Sequence, residues 1–297
     1  MDLRTQLGGV GVAIVTPFKS DFQIDYPALG RLIDFLIKKG IRYIVTQGTT
    51  GETPALTSEE KLELLAFTFD QVNGRVPVVV GIGGNDTRAV CAQLAKWPLE
   101  RASAILSAAP YYNKPSQEGL FQHYRQVAAA SPRPIILYNV PGRTGKNMEP
   151  ETTLRLANDV PNIIGIKEAG NSVQQCFRLL RDRPADFLVI SGDDDLVLAE
   201  LAGGIDGVIS VVANCCPVKF TRLVEAGLQG DFVTARRIHF ELMDILGLLF
   251  AENNPAGVKA FLHEMGLIEN VLRLPLVPLS EPLHAGVRRL AGQLDRP

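Results

Sequence analysis

Residues 10–18, VGVAIVTPF, are an apolar run that passes directly into a Thr-Pro-Phe turn. A short run of this kind, rich in β-branched residues, predicts a buried β-strand. A doubly wound nucleotide-binding sheet would carry a glycine-rich fingerprint immediately after its first strand, and no glycine follows here. The end of the first strand therefore favours a different α/β architecture.

The same alternation of a short apolar run and a longer amphipathic segment recurs along the chain. Strands are predicted at 10–15, 43–46, 76–81, 104–107, 135–139, 163–167, 188–191 and 207–211. Helices are predicted between and after them at 26–39, 58–72, 87–96, 117–130, 150–157, 172–181, 195–202 and 218–225. Each return to a parallel strand needs a crossover, so these eight units predict an α/β fold, a (β/α)8 TIM barrel, within residues 1–230.

The pattern changes after residue 230, where only helices are predicted, at 232–250, 256–265 and 282–292. Residues 231–297 are therefore expected to form a C-terminal helical appendage. Within the barrel, Thr57 and Glu60 fit a capping box at the start of the second helix.

Composition excludes several classes of function. The formal net charge is -2 without long runs of one sign, so no nucleic-acid partner is expected. Charges interrupt every apolar stretch and residues 1–8 lack an apolar signal core, so we expect no membrane partner and a cytoplasmic protein. The four cysteines show no zinc-ligand or redox spacing, and no metal site is expected. The four histidines lie in helical segments, where surface or half-buried positions are expected rather than catalytic ones.

Chemistry in such a barrel takes place at the carboxyl ends of the strands. Lys167 ends the sixth strand, after Ile163-Ile164-Gly165-Ile166. Partial desolvation there disfavours the charged form of the amine, and a neutral amine forms an imine with a ketone. Tyr138 ends the adjacent strand, where a phenol can pass protons to and from a carbinolamine. The alternatives are a lysine that snorkels from the rim and an aromatic plug at the barrel mouth.

Other polar residues follow neighbouring strands. Thr49 and Thr50 can relay a proton or bind a carboxylate, or can simply form a tight turn that caps a helix. Arg143 suits bidentate capture of a carboxylate, although a surface salt bridge is the more common role of a loop arginine. The pair Tyr111 and Tyr112 is typical of packing or interface aromatics.

Two weaker motifs have simpler explanations. Gly81-Ile82-Gly83-Gly84 resembles a phosphate cradle but is more often a tight turn into a helix. The run Asp193-Asp194-Asp195 could hold Mg²⁺ or Mn²⁺, but an acid-rich helix start explains it equally well. No second ligand cluster supports a metal.

Six motifs together resemble the dihydrodipicolinate synthase family. They stand in family order, and the resemblance runs from about residue 8 to Pro278. The motifs are GTTGE at 48–52, PYYNKPSQEG at 110–119, YNVPGRTG at 138–145, GIKEA at 165–169, SGDD at 191–194 and GVIS at 207–210. Six motifs in order are far more specific than any one of them.

The resemblance implies condensation of pyruvate with L-aspartate-4-semialdehyde, a step of the diaminopimelate and lysine pathway. It implies that Lys167 forms a covalent pyruvate imine without any added cofactor. It implies a proton relay of Thr49, Tyr138 and Tyr112, with Tyr112 entering the site from a neighbouring subunit.

The resemblance also implies a set of binding residues. Thr50 would hold the pyruvate carboxylate, Arg143 the carboxylate of the aldehyde, and Gly192 and Ile209 would line the pyruvate pocket with backbone groups. The family pattern is a homotetramer of two tight dimers, with the last helices in assembly contacts.

Sialic acid lyases, keto-deoxy-sugar aldolases and hydroxyoxoglutarate aldolases belong to the same superfamily and share the lysine and the tyrosine. Arg143 discriminates among them, because the sialic acid lyases carry no arginine in that loop. Thr49, in place of serine, also favours the synthase. Outside this superfamily, a metal-dependent barrel aldolase and a catalytically silent scaffold are the alternatives.

Some family members bind inhibitory lysine at the tight-dimer interface. Tyr111 and Asn85 match that site by resemblance. The histidine and glutamate positions of that site correspond here to Ser58, Lys61 and Ala89. These residues lack a carboxylate for the ammonium group of the effector, and the charge of Lys61 is expected to repel it. The hypothesis is weak or absent feedback by lysine.

Overall fold

The computed structural model describes residues 3–294, in which eight parallel strands close into a barrel in chain order. The strands are β1 (Gly9–Ala13), β2 (Tyr43–Thr46), β3 (Val78–Gly81), β4 (Ala104–Ala108), β5 (Ile135–Asn139), β6 (Ile163–Glu168), β7 (Leu188–Ser191) and β8 (Gly207–Ser210). The barrel closes where β8 pairs with β1, with Gly207 opposite Gly9. The predicted (β/α)8 barrel is therefore confirmed.

Helices surround the barrel and follow it. They are α1 (Leu3–Leu7), α2 (Tyr26–Lys38), α3 (Ser58–Val72), α4 (Thr87–Lys96), α5 (Gln117–Ala130), α6 (Pro141–Thr144), α7 (Pro150–Asp159), α8 (Val173–Asp182), α9 (Val197–Gly203), α10 (Pro217–Leu228), α11 (Phe232–Phe250), α12 (Ala256–Glu264) and α13 (Glu281–Leu290). The capping box is present at α3, where Thr57 accepts from the Glu60 N–H and Glu60 accepts from the Thr57 N–H.

One strand begins later than predicted. The sequence pattern starts the third strand at Val76, whereas β3 starts at Val78. Pro77 has no N–H to donate to a neighbouring strand, so it cannot join the ladder as a donor. Its carbonyl still accepts from the N–H of Ile44, which brings the chain into line with β2.

The barrel interior is a packed core. Tyr43 is fully buried inside it, and a Cβ added at Gly11 would lie 2.1 Å from Cε2 of Tyr43. Glycine at position 11 therefore makes room for the tyrosine ring. Side chains such as Tyr43, Val79 and Ile136 fill the barrel interior below the carboxyl ends of the strands.

The C-terminal helices pack against the barrel. Helix α11 contacts α9, α10 and α12, and α13 packs on α11 and α12. Leu242, Phe261 and Val287 belong to the same buried cluster as Val10 and Val208 of the barrel strands.

The division of the chain at residue 230 stays a prediction, and residues 295–297 lie outside the described part. Within that part, no helix is long and apolar enough to cross a membrane.

Candidate active site

A cavity of about 670 Å³ opens at the carboxyl ends of the barrel strands. Six of the residues singled out from the sequence line it: Thr49, Thr50, Tyr138, Arg143, Lys167 and Gly192. They stand at or just after the carboxyl ends of four strands, β2, β5, β6 and β7. The fold therefore brings together residues that are up to 143 positions apart, between Thr49 and Gly192.

Lys167 lies at the floor of this cavity. Lys167 is 5% exposed, and its Nζ lies 4.3 Å from the centroid of the Tyr138 ring. The two residues are directly opposite each other in the β5–β6 register, which fixes their proximity. Lys167 is therefore a primary amine held beside the Tyr138 ring at the cavity, and a primary amine can attack a carbonyl carbon.

The GTTGE motif forms a tight turn beside Lys167. Thr49–Gly51 is one turn of 3-10 helix. The Thr50 Oγ1 accepts a hydrogen bond from Nδ2 of Asn254 at 2.9 Å, and Thr16 Oγ1 donates to the Gly51 carbonyl at 2.7 Å. These bonds hold the turn from both sides and fix the Thr50 hydroxyl at the cavity wall, which Thr49 also lines.

Arg143 stands in the short helix α6 at the exposed rim of the cavity. Its Nη2 donates to Oδ1 of Asn253 at 3.0 Å and to the Asn254 carbonyl at 3.4 Å. Arg143 is therefore oriented by the segment between α11 and α12. Arg143 has no acidic partner among residues 3–294, so within that part of the chain it does not form the surface salt bridge considered from the sequence.

Two carboxyl groups with raised pKa values lie near Lys167. Burial raises the pKa of Glu168 to about 7, although its oxygens accept hydrogen bonds from Asn139 Nδ2 and Gln175 Nε2. Burial also raises the pKa of Asp193 to about 6, against a smaller lowering by the N–H of Asn171. Glu168 is therefore an interior group, whereas Asp193 is partly exposed and faces the cavity.

The three consecutive aspartates point to different partners. Asp193 accepts from the Asn171 N–H, whereas Asp194 is buried and accepts from the N–H groups of Val211 and Val212, each at 2.8 Å. Asp195 is exposed. Among residues 3–294, no group of three His, Cys, Asp or Glu side chains is placed to hold a metal ion.

The glycine run after β3 serves close backbone approach. A Cβ on Gly81 would lie 2.1 Å from the Gln47 carbonyl oxygen, and one on Gly83 would lie 2.9 Å from the Ala108 nitrogen. Both positions face neighbouring barrel segments, so packing alone accounts for the two glycines.

Two residues of the expected site lie outside the cavity lining. Ile209 is fully buried in the barrel interior, and Val211, two residues further along, reaches the lining instead. Tyr112 is 89% exposed, with a left-handed φ of 71°, in the loop after β4. Within one chain, Tyr112 therefore does not join Lys167 and Tyr138.

Helix α11 forms one wall of the cavity, which the sequence analysis missed. His239, Met243, Leu246, Gly247 and Phe250 contribute to the lining. Their spacing of three and four residues marks one helical face. The sequence shows this periodicity. It does not show that this face of α11 covers the carboxyl ends of barrel strands that are distant in the chain.

The expectation that the histidines are surface or half-buried is wrong for two of them. His123 and His239 are both buried. His123 Nδ1 is hydrogen-bonded to Thr87 Oγ1 at 2.9 Å, and burial lowers the pKa of His123 to about 4. Each of the two histidines lies on the inward face of its helix. The amphipathic pattern of the sequence did not show on which face a single histidine lies.

The residues that correspond to the inhibitory lysine site of the family lie in two helices and two loops. Asn85 Nδ2 donates to the Tyr111 carbonyl at 3.3 Å, which joins these two residues. Ser58 and Lys61 lie in the first turns of α3, and Ala89 is exposed on α4. Burial lowers the pKa of the Lys61 amine.

Comparison with known proteins agrees with this geometry. The model of the dihydrodipicolinate synthetase family matches residues 6–294. A 4-hydroxy-tetrahydrodipicolinate synthase of Parabacteroides distasonis is 49% identical, with 97% of each chain covered. The chain belongs to the dihydrodipicolinate synthetase family and is an enzyme of the lyase class.

Solved structures of similar proteins share the whole architecture. One, described as the first monomeric dihydrodipicolinate synthase variant, has a TM-score of 0.95 at 40% identity and 98% coverage of both chains. Another, the chloride-inhibited dihydrodipicolinate synthase of Acinetobacter baumannii complexed with pyruvate, has a TM-score of 0.93 at 39% identity. It covers 96% of this chain and 99% of the other.

Proposed function

We propose that this enzyme is a 4-hydroxy-tetrahydrodipicolinate synthase that joins pyruvate to L-aspartate-4-semialdehyde through an imine on Lys167. The observation that carries the proposal is the buried Lys167 amine 4.3 Å from the Tyr138 ring centroid, on the floor of the cavity. Full-length similarity to synthases, one of them solved with pyruvate, supports this choice of donor and acceptor.

In this proposal the nitrogen lone pair of Lys167 attacks the ketone carbon of pyruvate. The carbinolamine then loses water to give the imine, and no external cofactor is needed. Loss of a methyl proton gives an enamine whose carbon attacks the aldehyde of the second substrate, and the aldehyde oxygen takes up a proton to become a hydroxyl. The amino group of the second substrate then adds to the imine carbon and displaces the Lys167 nitrogen, which closes the ring of the product and regenerates the free amine. Tyr138 and Thr49, which line the same cavity, are the proposed carriers of these protons.

The binding roles follow from charge and hydrogen-bonding capacity. Thr50 is proposed to hold the pyruvate carboxylate, because its hydroxyl is already oriented by Asn254. Arg143 is proposed to bind the carboxylate of the aldehyde, because guanidinium groups bind carboxylates through paired donors. Gly192 and Ile209 are the proposed backbone positions of the pyruvate pocket, Gly192 in direct contact with the cavity.

Assembly enters the proposal through Tyr112. Its exposed position in one chain is compatible with a role in the site of a neighbouring subunit. We propose a homotetramer of two tight dimers, located in the cytoplasm. A monomeric variant occurs among the similar proteins, so the oligomeric state has to be measured for this chain.

The acceptor assay tests the substrate choice. The purified enzyme is incubated with pyruvate and either aspartate semialdehyde, a sugar aldehyde or glyoxylate, with and without EDTA. Turnover with aspartate semialdehyde that is insensitive to EDTA is expected. Preferred turnover of a sugar aldehyde or glyoxylate would assign the chain to another pyruvate aldolase of the superfamily, and loss of turnover in EDTA would favour a metal-dependent reaction.

A further inference from the structure

Glu52 closes the GTTGE motif but lines no part of the cavity. It ends the turn that carries Thr49 and Thr50, in a left-handed conformation with φ 52° and ψ 34°. A non-glycine residue in this conformation is uncommon and persists where its surroundings fix it. The Glu52 residue is 2% exposed, which places its carboxylate in the interior.

The carboxylate of Glu52 pairs with a lysine from the C-terminal helices. Glu52 Oε1 lies 2.5 Å from Lys259 Nζ, and both side chains are fully buried. The same Nζ donates to the Val271 carbonyl at 2.9 Å and lies 4.2 Å from the centroid of the Phe18 ring. Lys259 is thus surrounded by partners on the barrel and on the C-terminal segment.

The second carboxylate oxygen is also occupied. Glu52 Oε2 accepts from the backbone N–H of Arg273 at 3.1 Å. The Arg273 guanidinium then donates to the Glu60 carboxylate and to the Ala55 carbonyl, which lie just after the motif. Glu52, Lys259 and Arg273 form one group, hereafter the buried charge cluster.

Such a cluster fixes geometry more than it adds stability. A buried ion pair loses hydration, and replacing both partners with uncharged groups is often neutral for the free energy of unfolding. The ion pair at one oxygen and the hydrogen bond from the Arg273 N–H at the other nevertheless restrict the orientation of the Glu52 carboxylate. The turn that bears the threonines is therefore tied to residues more than 200 positions away, as Thr50 is also tied to Asn254.

We propose that Glu52, Lys259 and Arg273 are positioning residues for the reaction, and that they hold Thr49 and Thr50 at the cavity wall. The inference rests on the proposed function, because it assigns these threonines to proton relay and pyruvate binding. It makes the C-terminal helical region part of the catalytic apparatus, although none of the three residues touches the cavity.

The test compares the double variant Glu52→Gln/Lys259→Met with the parent enzyme. The matched control is Lys219→Met, at a lysine whose pair with Glu241 is half-exposed, with Nζ and Oε2 3.8 Å apart. For each protein the Tm, the kcat, the KM for pyruvate and the borohydride trapping of pyruvate on Lys167 are measured, with kinetics taken well below every Tm.

Positioning predicts a specific pattern. The double variant keeps a Tm close to that of the parent and still traps pyruvate, while its kcat falls about tenfold to a hundredfold and its KM for pyruvate rises. The Lys219→Met control keeps the parent values. A folded double variant with parent kcat and KM overturns the inference, and so does a fall in kcat that merely follows the Tm.

A second variant covers the case in which the double variant fails to fold. Glu52→Asp keeps the charge but withdraws the carboxylate by one methylene. Its kcat should again fall while borohydride trapping of pyruvate persists. Parent values of kcat and KM in a folded Glu52→Asp protein overturn the inference. Failure of the parent itself to trap pyruvate would instead contradict the proposed function, which separates the two claims.

Discussion

Gly192 packs directly against the side chain of Lys167. A Cβ added at Gly192 would lie 2.8 Å from Cε of Lys167 and 2.6 Å from Cβ of Ala169. Separations this short do not occur between such atoms, so one of the groups would have to move. Glycine at position 192 therefore leaves the space that the end of the Lys167 side chain occupies.

Gly192→Ala is expected to displace the Lys167 side chain and to lower kcat/KM for pyruvate about a hundredfold, because small misplacements of reacting groups are costly. Steady-state kinetics and the rate of borohydride trapping measure the effect. Gly292→Ala is the control, since a Cβ there would meet no atom within 4 Å. Kinetics of Gly192→Ala equal to those of the parent would show that Lys167 is not confined by this contact.

Glu168 makes stability dependent on pH. Its pKa in the folded protein is about 7, above the ordinary value of 4.5, because of burial. The unfolded chain therefore loses this proton first, so the free energy of unfolding falls as the pH rises from about 4.5 to about 7. A shift of this size corresponds to roughly 3 kcal/mol.

Glu168→Gln removes this ionisation, so the Tm of the variant should decline less between about pH 5 and pH 8 than that of the parent. Thermal unfolding across that range is the measurement, and Glu100→Gln, at an exposed position, is the control. An equal decline in parent and variant would contradict a raised pKa for Glu168.

Tyr112 offers a test of the shared site. If Tyr112 acts in the neighbouring subunit, Tyr112→Phe should lower kcat about tenfold or more and leave pyruvate trapping intact. Mixing Tyr112→Phe and Lys167→Ala chains should restore turnover, because a hybrid dimer holds one site with both intact residues.

Native mass spectrometry confirms that hybrids form in the mixture. Hybrids without recovered activity would rule out the action of Tyr112 across the interface. A parent enzyme that is a fully active monomer at assay concentration would rule it out as well.

Lysine is expected to leave the rate of the purified enzyme unchanged at sub-millimolar concentration. Ser58, Lys61 and Ala89 supply no carboxylate for its ammonium group, and a protonated Lys61 would repel it. Initial rates across a lysine titration check this prediction, with S-(2-aminoethyl)-cysteine as a second cation. Inhibition in that range would mean that other groups bind the effector.

Local sequence pattern was sufficient for the barrel. Strands such as β2, β5 and β7 begin and end where the apolar runs do, and the same holds for helices α3, α4 and α5. Position at a strand end was also enough to select Lys167 and Tyr138, since parallel strands deliver their last residues to one edge of the barrel.

Contacts across the chain were not predictable in this way. The bond from Asn254 to Thr50 joins residues 204 positions apart, and the pair of Lys259 with Glu52 spans a similar distance. The sequence around Asn254 and Lys259 gives no indication that these residues are buried. An asparagine in a loop and a lysine in a helix are ordinary surface residues. Asn254 and Lys259 are interior residues because α12 and the loop before it pack on the barrel.

The most direct measurement is reduction with borohydride in the presence of pyruvate, followed by peptide mass spectrometry. The proposed function predicts that the mass of a reduced pyruvate adduct appears on Lys167, that it requires pyruvate, and that Lys167→Ala abolishes both the adduct and turnover. An adduct on another residue, or a Lys167→Ala protein that turns over substrate at the parent rate, would contradict it.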